Sequence, residues 1–303
     1  MQEVGRYHRI LEFPNAYGKS EKWLAIDCAF VESGIRYAME NNCKRVLFGS
    51  LSGSKKSLNV SIDILDRLEN LEGLIWHIPI DKGAKTSSLD AQTNLKYLSI
   101  VQPNVSINLA RFPHLEYLGA QFSEKITGYD RASNSLIYLS LTGLSTDLAF
   151  LGVLKGLTKL DLVRADIDTL SGAQELTSLT ELTLIHCRKL VDISHVAHLK
   201  HLLTLSIEGS SKLTDLAALQ ALDSLKTLWI KCKEVKSCRF VEAMKSLEFI
   251  SINANIIDND LSPLIESRSL LEVWFSPIRS TYTPRLSPDD VNELLLDRQK
   301  HRK

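Results

Sequence analysis

Apolar residues recur along the chain in a short phrase that repeats about every 22 residues. From residue 95 the phrase reads LKYLSI, LEYLGA, LIYLSL, LTKLDL, LTELTL, LLTLSI, LKTLWI and LEFISI; a weaker copy, LLEVWF, starts at 270 and an irregular one, GLIWHI, at 73. Apolar residues alternate with polar ones around a central apolar residue, which we call the anchor. Such alternation predicts a short strand with one apolar side. The anchors are Trp76, Leu98, Leu118, Leu139, Leu160, Leu182, Leu205, Leu228, Ile250 and Val273.

Between the phrases, apolar residues follow at a step of three. Examples are Leu151, Leu154 and Leu157, or Ile193, Val196 and Leu199. This step favours a tight return segment with 3₁₀ character and one inward stripe. One strand and one return per unit, stacked, bury a continuous apolar ribbon that no single unit could bury alone. The pattern therefore predicts an α/β solenoid whose strands form a parallel sheet.

The two ends of the chain depart from the repeat. Residues 1–70 lack the phrase, and their pattern predicts helices near 30–42 and 60–71 with a strand near 45–49, which together form an N-terminal cap with irregular first repeats. We expect the solenoid over 71–276 and a C-terminal cap over 277–303. In that cap Ser287 is a helix N-cap, followed by Pro288 and two acids. The residues expected to cover the last repeat are Val291, Leu294 and Leu295.

The phrase LxxLxL, with its trailing ITDLxxLxxL-like segment, resembles the leucine-rich repeat family over roughly 70–276. The 20–23-residue units are most similar to the short repeats of bacterial internalins and phosphatase-regulator proteins. The resemblance implies a parallel sheet on a concave face and 3₁₀ or short helical segments on the convex side. The family usually has Asn or Cys five residues after the anchor. Here Asn255 and Cys187 match, whereas other repeats carry Leu144, Ala165, Ser210 and Lys233.

Composition narrows the class of protein. The 36 Lys and Arg residues balance 36 Asp and Glu residues, so the chain lacks the basic surface of a general nucleic-acid binder or of a protein that binds anionic membranes. No apolar run reaches the roughly 18 residues of a membrane-spanning helix, and the first 30 residues lack a signal-peptide pattern. Five cysteines, an odd number, do not suggest a disulfide framework. We expect a cytoplasmic protein with free thiols.

The candidate chemical groups do not assemble into a recognisable site. His195, His198 and His201 each precede an inward apolar residue, which places them on the outer side of a return. Cys232 and Cys238 have no second pair with zinc spacing. Asp258 and Asp260 follow a strand, where carboxylates satisfy turn backbone groups. We expect no metal, no cofactor and no catalysis. The enzyme alternative requires Asp161 to converge with Glu181 or His77.

The residues beside each anchor form three columns on the face opposite the core. The first column holds Tyr97, Tyr117 and Tyr138 in consecutive repeats; Trp229, Phe249 and Trp274 form a second aromatic group, and charged residues lie between the two. Aromatic anchors with polar rims are typical of protein-binding surfaces, although aromatic residues also favour strands and stack for stability. The predicted partner-binding residues are Tyr97, Tyr117, Tyr138, Lys159, Asp161, Glu181, Glu208, Trp229, Lys231, Phe249 and Trp274.

These observations favour a non-catalytic scaffold, monomeric when free, that binds another protein through the sheet. Two more specific roles stay open: an immunity protein that neutralises a toxin domain, and a regulatory subunit of a phosphatase. Both rest on the use of repeat scaffolds in such roles, which is an analogy at the level of the fold.

Overall fold

A computed structural model of the chain describes residues 2–3, 8–51, 60–80, 86–103 and 105–300. The chain divides into two compact units, Met1–Thr142 and Gly143–Lys303. In both units, strands alternate with 3₁₀ or short α-helical returns. The domain boundaries expected at 70 and 276 stay predictions.

In the first unit, neighbouring strands follow the order β1-β2-β3-β4-β5-β6-β8-β10. Strands β1 to β3 pair antiparallel, and from β3 onward the pairs are parallel. Strands β7 and β9 form a separate parallel pair. The returns include helices α1 (Val31–Glu40) and α2 (Ser87–Asp90) and 3₁₀ segments Cys28–Phe30, Ile62–Arg67 and Leu109–Arg111. The strands are β1 Gln2–Glu3, β2 His8–Pro14, β3 Ser20–Asp27, β4 Arg45–Gly49, β5 Gly73–Trp76, β6 Tyr97–Ile100, β7 Ile107–Asn108, β8 Tyr117–Gln121, β9 Ile126–Thr127 and β10 Tyr138–Thr142.

In the second unit, six strands pair in parallel in chain order. They are β11 Lys159–Val163, β12 Glu181–Ile185, β13 Thr204–Glu208, β14 Thr227–Val235, β15 Phe249–Ile256 and β16 Glu272–Ser276. The 3₁₀ returns are Ala149–Val153, Ala173–Glu175, Ser194–His198, Ala217–Ala221 and Arg239–Ala243, and the α-helices are α3 Ser262–Glu266 and α4 Pro288–Lys300.

The predicted anchors form the ribbon of the core. Leu118 lies opposite both Leu98 and Leu139, and Leu205 lies opposite Leu182 and Leu228. These side chains are at most 2% exposed. The step of three in the returns is also confirmed, since Leu151, Leu154 and Leu157, like Ile193, Val196 and Leu199, are buried.

The anchor predicted for the copy at residue 73 is wrong. Leu74, not Trp76, lies opposite Leu98, and Trp76 lies opposite Ile100. All four residues of β5 are buried, so the strand does not alternate between apolar and polar positions. A strand covered on both faces hides its register, because alternation is the signal that identifies the inward side.

The predicted strand at 45–49 is β4, and the predicted helix at 30–42 is α1. The helix expected at 60–71 is instead the 3₁₀ segment Ile62–Arg67. Ile62, Leu65, Leu68 and Leu71 are all buried, and their step of three is the one that 3₁₀ geometry serves. Strand β3 pairs in parallel with β4, and β4 pairs in parallel with β5, so the parallel sheet extends into the predicted cap.

At the C-terminus, helix α4 begins with a reciprocal cap. The Ser287 hydroxyl accepts from the Asp290 N–H at 3.2 Å, and the Asp290 carboxylate accepts from the Ser287 N–H at 2.7 Å, as in a capping box. The Asn292 amide bonds both the N–H and the C=O of Val273, which satisfies backbone groups of strand β16. Val291 and Leu295 are buried as predicted, but Leu294 is 42% exposed, because it lies on the outer side of the helix.

Each return of the second unit follows a turn closed by a polar side chain, which lies one to three residues before the N-cap position. The side-chain oxygen accepts a hydrogen bond of 2.7–3.2 Å from the N–H two residues later. This arrangement confirms the structural interpretation of Asp260, and Asp258 likewise accepts from the Asp260 N–H. The residues whose side chains accept these hydrogen bonds are Asp147, Thr169, Asp192, Asp215, Ser237 and Asp260.

Candidate functional site

The side of the sheet opposite the anchor ribbon, which we call the strand face, carries the predicted columns. In the second unit the first column runs through Lys159, Glu181, Thr204, Thr227, Phe249 and Glu272, as the register predicts. In the first unit Tyr97, Tyr117 and Tyr138 lie opposite one another. The anchor Trp76 would place Ile75 in the first column and His77 in the next one, but this is wrong, because Gly73 lies opposite Tyr97 and Ile75 opposite Ser99.

The three tyrosines belong to an aromatic row rather than to an open patch. The Tyr97 and Tyr117 rings stack with centroids 4.0 Å apart, and the Tyr138 ring meets Tyr117 edge-on at 4.8 Å. On its other side Tyr97 meets the edge of Trp23 at 5.0 Å. All three tyrosines are half-buried, so a partner could reach only part of each ring.

The strand face of the first unit is covered where this row begins. Trp23, Ala25, Leu47 and Ile75 are buried there, and Tyr97 packs against them. Burial raises the pKa of the Tyr97 hydroxyl, and a hydrogen bond with Tyr117 partly opposes this shift. The tyrosine column therefore continues an apolar cluster, which gives it a stabilising role through aromatic pairing.

The predicted charged strip of the second unit is largely neutralised within the strip. Lys159 pairs with Glu181 at 2.9 Å, and Lys231 pairs with Glu208 at 2.7 Å. The Lys231 ammonium holds the pKa of the Glu208 carboxyl below its usual range. Asp161 is half-buried in the middle column, which holds the residues directly after the anchors. The strip offers paired charges that would orient a partner more than attract it.

The second aromatic group is the exposed part of the strand face. Trp229 and Trp274 lie in the middle column on either side of Ser251, so their Cα atoms are about 10 Å apart by strand spacing. Each indole is 46% exposed. The half-buried Phe249 ring lies 4.6 Å from that of Trp229, and the Trp274 indole N–H donates to Glu272 at 2.5 Å. These contacts fix both indoles in the absence of a partner.

A hollow of about 240 Å³ adjoins this patch. Its walls combine the aromatic face of Trp229 with the Lys231–Glu208 pair. Ser206, Ser251 and Asn253 supply small polar groups at its lining. Such a hollow can receive a side chain with both an apolar body and a polar end.

Sequence reasoning missed a second cleft, at the carboxyl ends of β11 and β12. It measures about 450 Å³ and is lined by Arg164, Ala165, Asp166, His186, Arg188 and Lys189. These residues follow the strands and lie outside the three columns that the alternation predicts. The cleft is therefore a feature of the loops, which the repeat phrase does not describe.

No set of three metal-binding side chains comes together within the part of the chain that the structure describes. Of the three predicted outer histidines, His198 and His201 are exposed and His195 is half-buried. All five cysteines are free, and burial raises the pKa of the Cys232 thiol to about 11. Among the described helices, none has the length and apolar character needed to cross a membrane.

Two cysteines bond the backbone of the preceding repeat near the position, five residues after the anchor, where the family usually has Asn or Cys. Cys187 and Cys232 each accept a hydrogen bond from a backbone N–H of the preceding repeat, that of Ala165 and that of Ser210 respectively. Lys233 seemed to break the expected Asn/Cys position. The thiol that bonds the Ser210 N–H is instead that of Cys232, one residue earlier, and a bulge interrupts the register of β14 between Lys231 and Glu234.

No protein-family model matches the chain, and no curated protein matches it. Among solved structures, an internalin of Listeria monocytogenes str. 4b F2365, InlF, matches 89% of this chain and 89% of its own at 19% identity, with a TM-score of 0.52. InlC2 of the same strain matches 63% of this chain and 84% of its own at 21% identity, with a TM-score of 0.44. The functional domain of InlJ from Listeria monocytogenes matches 76% of this chain and 52% of its own at 18% identity, with a TM-score of 0.48.

At these identities the likeness concerns the fold alone, and of the three only InlF exceeds a TM-score of 0.5. The likeness to InlF agrees with the anchor ribbon, the parallel strands and the 3₁₀ returns found here. The chain has the leucine-rich repeat solenoid fold.

Proposed function

We propose that the chain is a non-catalytic scaffold that binds a protein partner through the strand face of its second unit. Trp229, Phe249 and Trp274 are the main contact residues of this proposed surface. The observation that carries the proposal is the exposure of two large indoles in one column, 46% each, beside small and polar residues. Partly exposed tryptophans within a polar rim have the composition of binding hot spots.

The indoles need little ordering on binding. Trp229 packs on Phe249, and Trp274 bonds to Glu272, so both rings have neighbours that restrict their rotation. A surface formed in advance loses less conformational entropy when a partner docks. The Lys159–Glu181 and Glu208–Lys231 pairs contribute a polar margin whose charges set orientation and partner choice.

An enzyme is the weaker candidate. The acid–base hypothesis required Asp161 to converge with Glu181 or His77, yet the Glu181 carboxylate is engaged by Lys159 at 2.9 Å. The ion pair occupies carboxylate oxygens that a general acid or base would present to a substrate. We therefore favour recognition over catalysis for this face.

The proposal is tested by capture of partners on the immobilised chain from native lysate, with identification by mass spectrometry. We expect a stoichiometric protein that the double variant Trp229→Ala/Trp274→Ala loses. Val153→Ala is the matched control, because Val153 is 42% exposed but lies in a return. Capture that survives the double variant, with the fold intact by circular dichroism, would place binding elsewhere.

The class of the captured protein would separate the two specific roles. A toxin domain would favour an immunity protein, and a phosphatase catalytic subunit would favour a regulatory subunit. We also propose a cytoplasmic location, because free and mostly buried thiols suit a reducing compartment. Cell fractionation tests the location, and light scattering after gel filtration tests the expected monomer.

A further inference from the structure

In the second cleft, between the loops after β11 and β12, two non-glycine residues adopt a backbone conformation for which the adjoining repeats use glycine. The residue directly after each strand has a positive φ in four consecutive repeats: Gly143, Arg164, His186 and Gly209, with φ of 73°, 51°, 55° and 69°. Each of these four N–H groups donates, at 2.6–2.8 Å, to a carbonyl at one equivalent position of the following strand. The acceptors are Val163, Ile185, Glu208 and Lys231. The four positions are therefore structurally equivalent.

Glycine adopts this left-handed conformation without strain, whereas a side chain with a β-carbon is disfavoured there. The chain uses glycine at the first and last of these positions but arginine and histidine at the middle two. Strained backbone of this kind concentrates at functional sites. Two non-glycine residues side by side suggest that their side chains serve a purpose other than folding.

The charges of this cleft are unbalanced. Asp166 is the acid in its lining, and it is occupied by Lys189 at 2.9 Å. Arg164 and Arg188 have no carboxylate partner within the described part of the chain. Elsewhere in this unit cations such as Lys231 and Lys236 are paired with Glu208 and Asp215. Two guanidinium groups are thus available to a ligand.

The histidine in the lining of this cleft packs on the backbone of the next repeat. A β-carbon on Gly209 would lie 2.1 Å from His186 Nδ1, so the imidazole ring rests directly on the glycine backbone. Glu208, an acid that interacts with His186, is engaged by Lys231. The ring can therefore offer an N–H donor beside the two arginines.

We propose that this cleft binds an oxyanion, a phosphate or carboxylate group, through Arg164, Arg188 and His186. Planar guanidinium groups bind both kinds of group by paired hydrogen bonds. The cleft volume of about 450 Å³ lies in the range of small-ligand sites. This site is separate from the Trp229 patch, so it does not depend on the function proposed above.

The test follows the backbone amides of Ala165, His186 and Arg188 by NMR during titration with inorganic phosphate at constant ionic strength, with sodium chloride as the balancing salt. Acetate is titrated in parallel. We expect saturable shifts with phosphate, acetate or both, and the tighter of the two identifies the source of the anion. The variants Arg164→Gly and Arg188→Gln should each weaken binding about tenfold. Lys212→Ala, which removes an exposed cation elsewhere, should leave it unchanged.

A second readout needs no ligand. Because glycine is favoured at positive φ, Arg164→Gly should raise the thermal midpoint by about 2 °C while it weakens anion binding. The proposal is overturned by shifts that do not saturate, or by equal binding in Arg164→Gly, Lys212→Ala and the unaltered protein. It is also overturned if Arg164→Gly lowers the midpoint, because the arginine would then be retained for stability.

Discussion

At the scale of single residues, Gly172 is a position of the second unit where both the backbone conformation and the adjacent backbone exclude a side chain. It has a φ of 92°, and a β-carbon there would lie 2.2 Å from the Ala149 nitrogen and 2.5 Å from the Leu148 carbonyl carbon. The neighbouring return passes directly against it. A side chain would thus meet backbone atoms, which cannot move aside as a flexible side chain could.

We expect Gly172→Ala to lower the free energy of unfolding by about 3 kcal/mol, because it adds both left-handed strain and a backbone collision. Gly143→Ala is the matched control. Its φ is 73°, but nothing lies within 4 Å of the added carbon, so only the strain of about 1 kcal/mol applies. Urea unfolding measures both variants. Equal losses would mean that the return does not press on Gly172.

At the same scale, sequence reasoning reached some residues and not others. The exposed Trp229 and Trp274 followed from alternation, because polar-side positions of a strand are legible once the anchors are known. Arg164 and His186 were not found, since neither residue type signals a positive φ. A single clue existed, the glycines at the equivalent positions 143 and 209, and it becomes informative only after the repeats are aligned.

Among the elements, each 3₁₀ return of the second unit depends on the polar side chain that closes the turn before it. Asp192 accepts from the Ser194 N–H at 2.7 Å and from its hydroxyl at 3.0 Å. Asp192 has no cation within ion-pair distance in the described part of the chain, unlike Asp215, which pairs with Lys236. Asp192 therefore isolates the effect of the cap.

Replacing Asp192, which precedes the N-cap residue Ile193 and bonds the first N–H of the return, should destabilise the fold about as much as the loss of a helix cap. We expect Asp192→Ala to lower the free energy of unfolding by about 1 kcal/mol, because the Ser194 N–H would lose its acceptor. Asp192→Asn keeps an oxygen acceptor and should lose less. Urea unfolding of the two variants gives the comparison. If alanine and asparagine behave alike, the charge or the shape of the loop, and not the hydrogen bond, is what matters.

The elements also mark where prediction from sequence succeeded. Strands with one buried side, such as β11 to β13, were placed in the correct register, because their two faces differ in polarity. Strand β5 was misplaced by two residues because both of its faces are buried. The return at Ile62–Arg67 was taken for a helix, although its step of three matched the other returns. Local pattern was therefore sufficient for the register of strands whose two sides differ in exposure to water, but not for the type of every return.

Across the whole molecule, the reactivity of the cysteine thiols measures how well the fold protects them from solvent. The five cysteines are distributed over both units, and three of them, Cys28, Cys187 and Cys238, are buried. Burial raises the pKa of the thiols of Cys187, Cys232 and Cys238. It also raises that of the half-buried Cys43.

The thiolate is the reactive form, so a raised pKa slows alkylation. For Cys232, a pKa of about 11 in place of 9.0 lowers the thiolate fraction at pH 8 about a hundredfold. We expect iodoacetamide at pH 8 to modify Cys232 in the folded protein about a hundred times more slowly than in concentrated urea, with peptide mapping to identify the site. The folded rate should rise with pH up to about 11, because each unit of pH gives roughly tenfold more thiolate. Equal rates in the folded and unfolded protein would mean that the fold does not protect the Cys232 thiol, and that β14 opens readily around it.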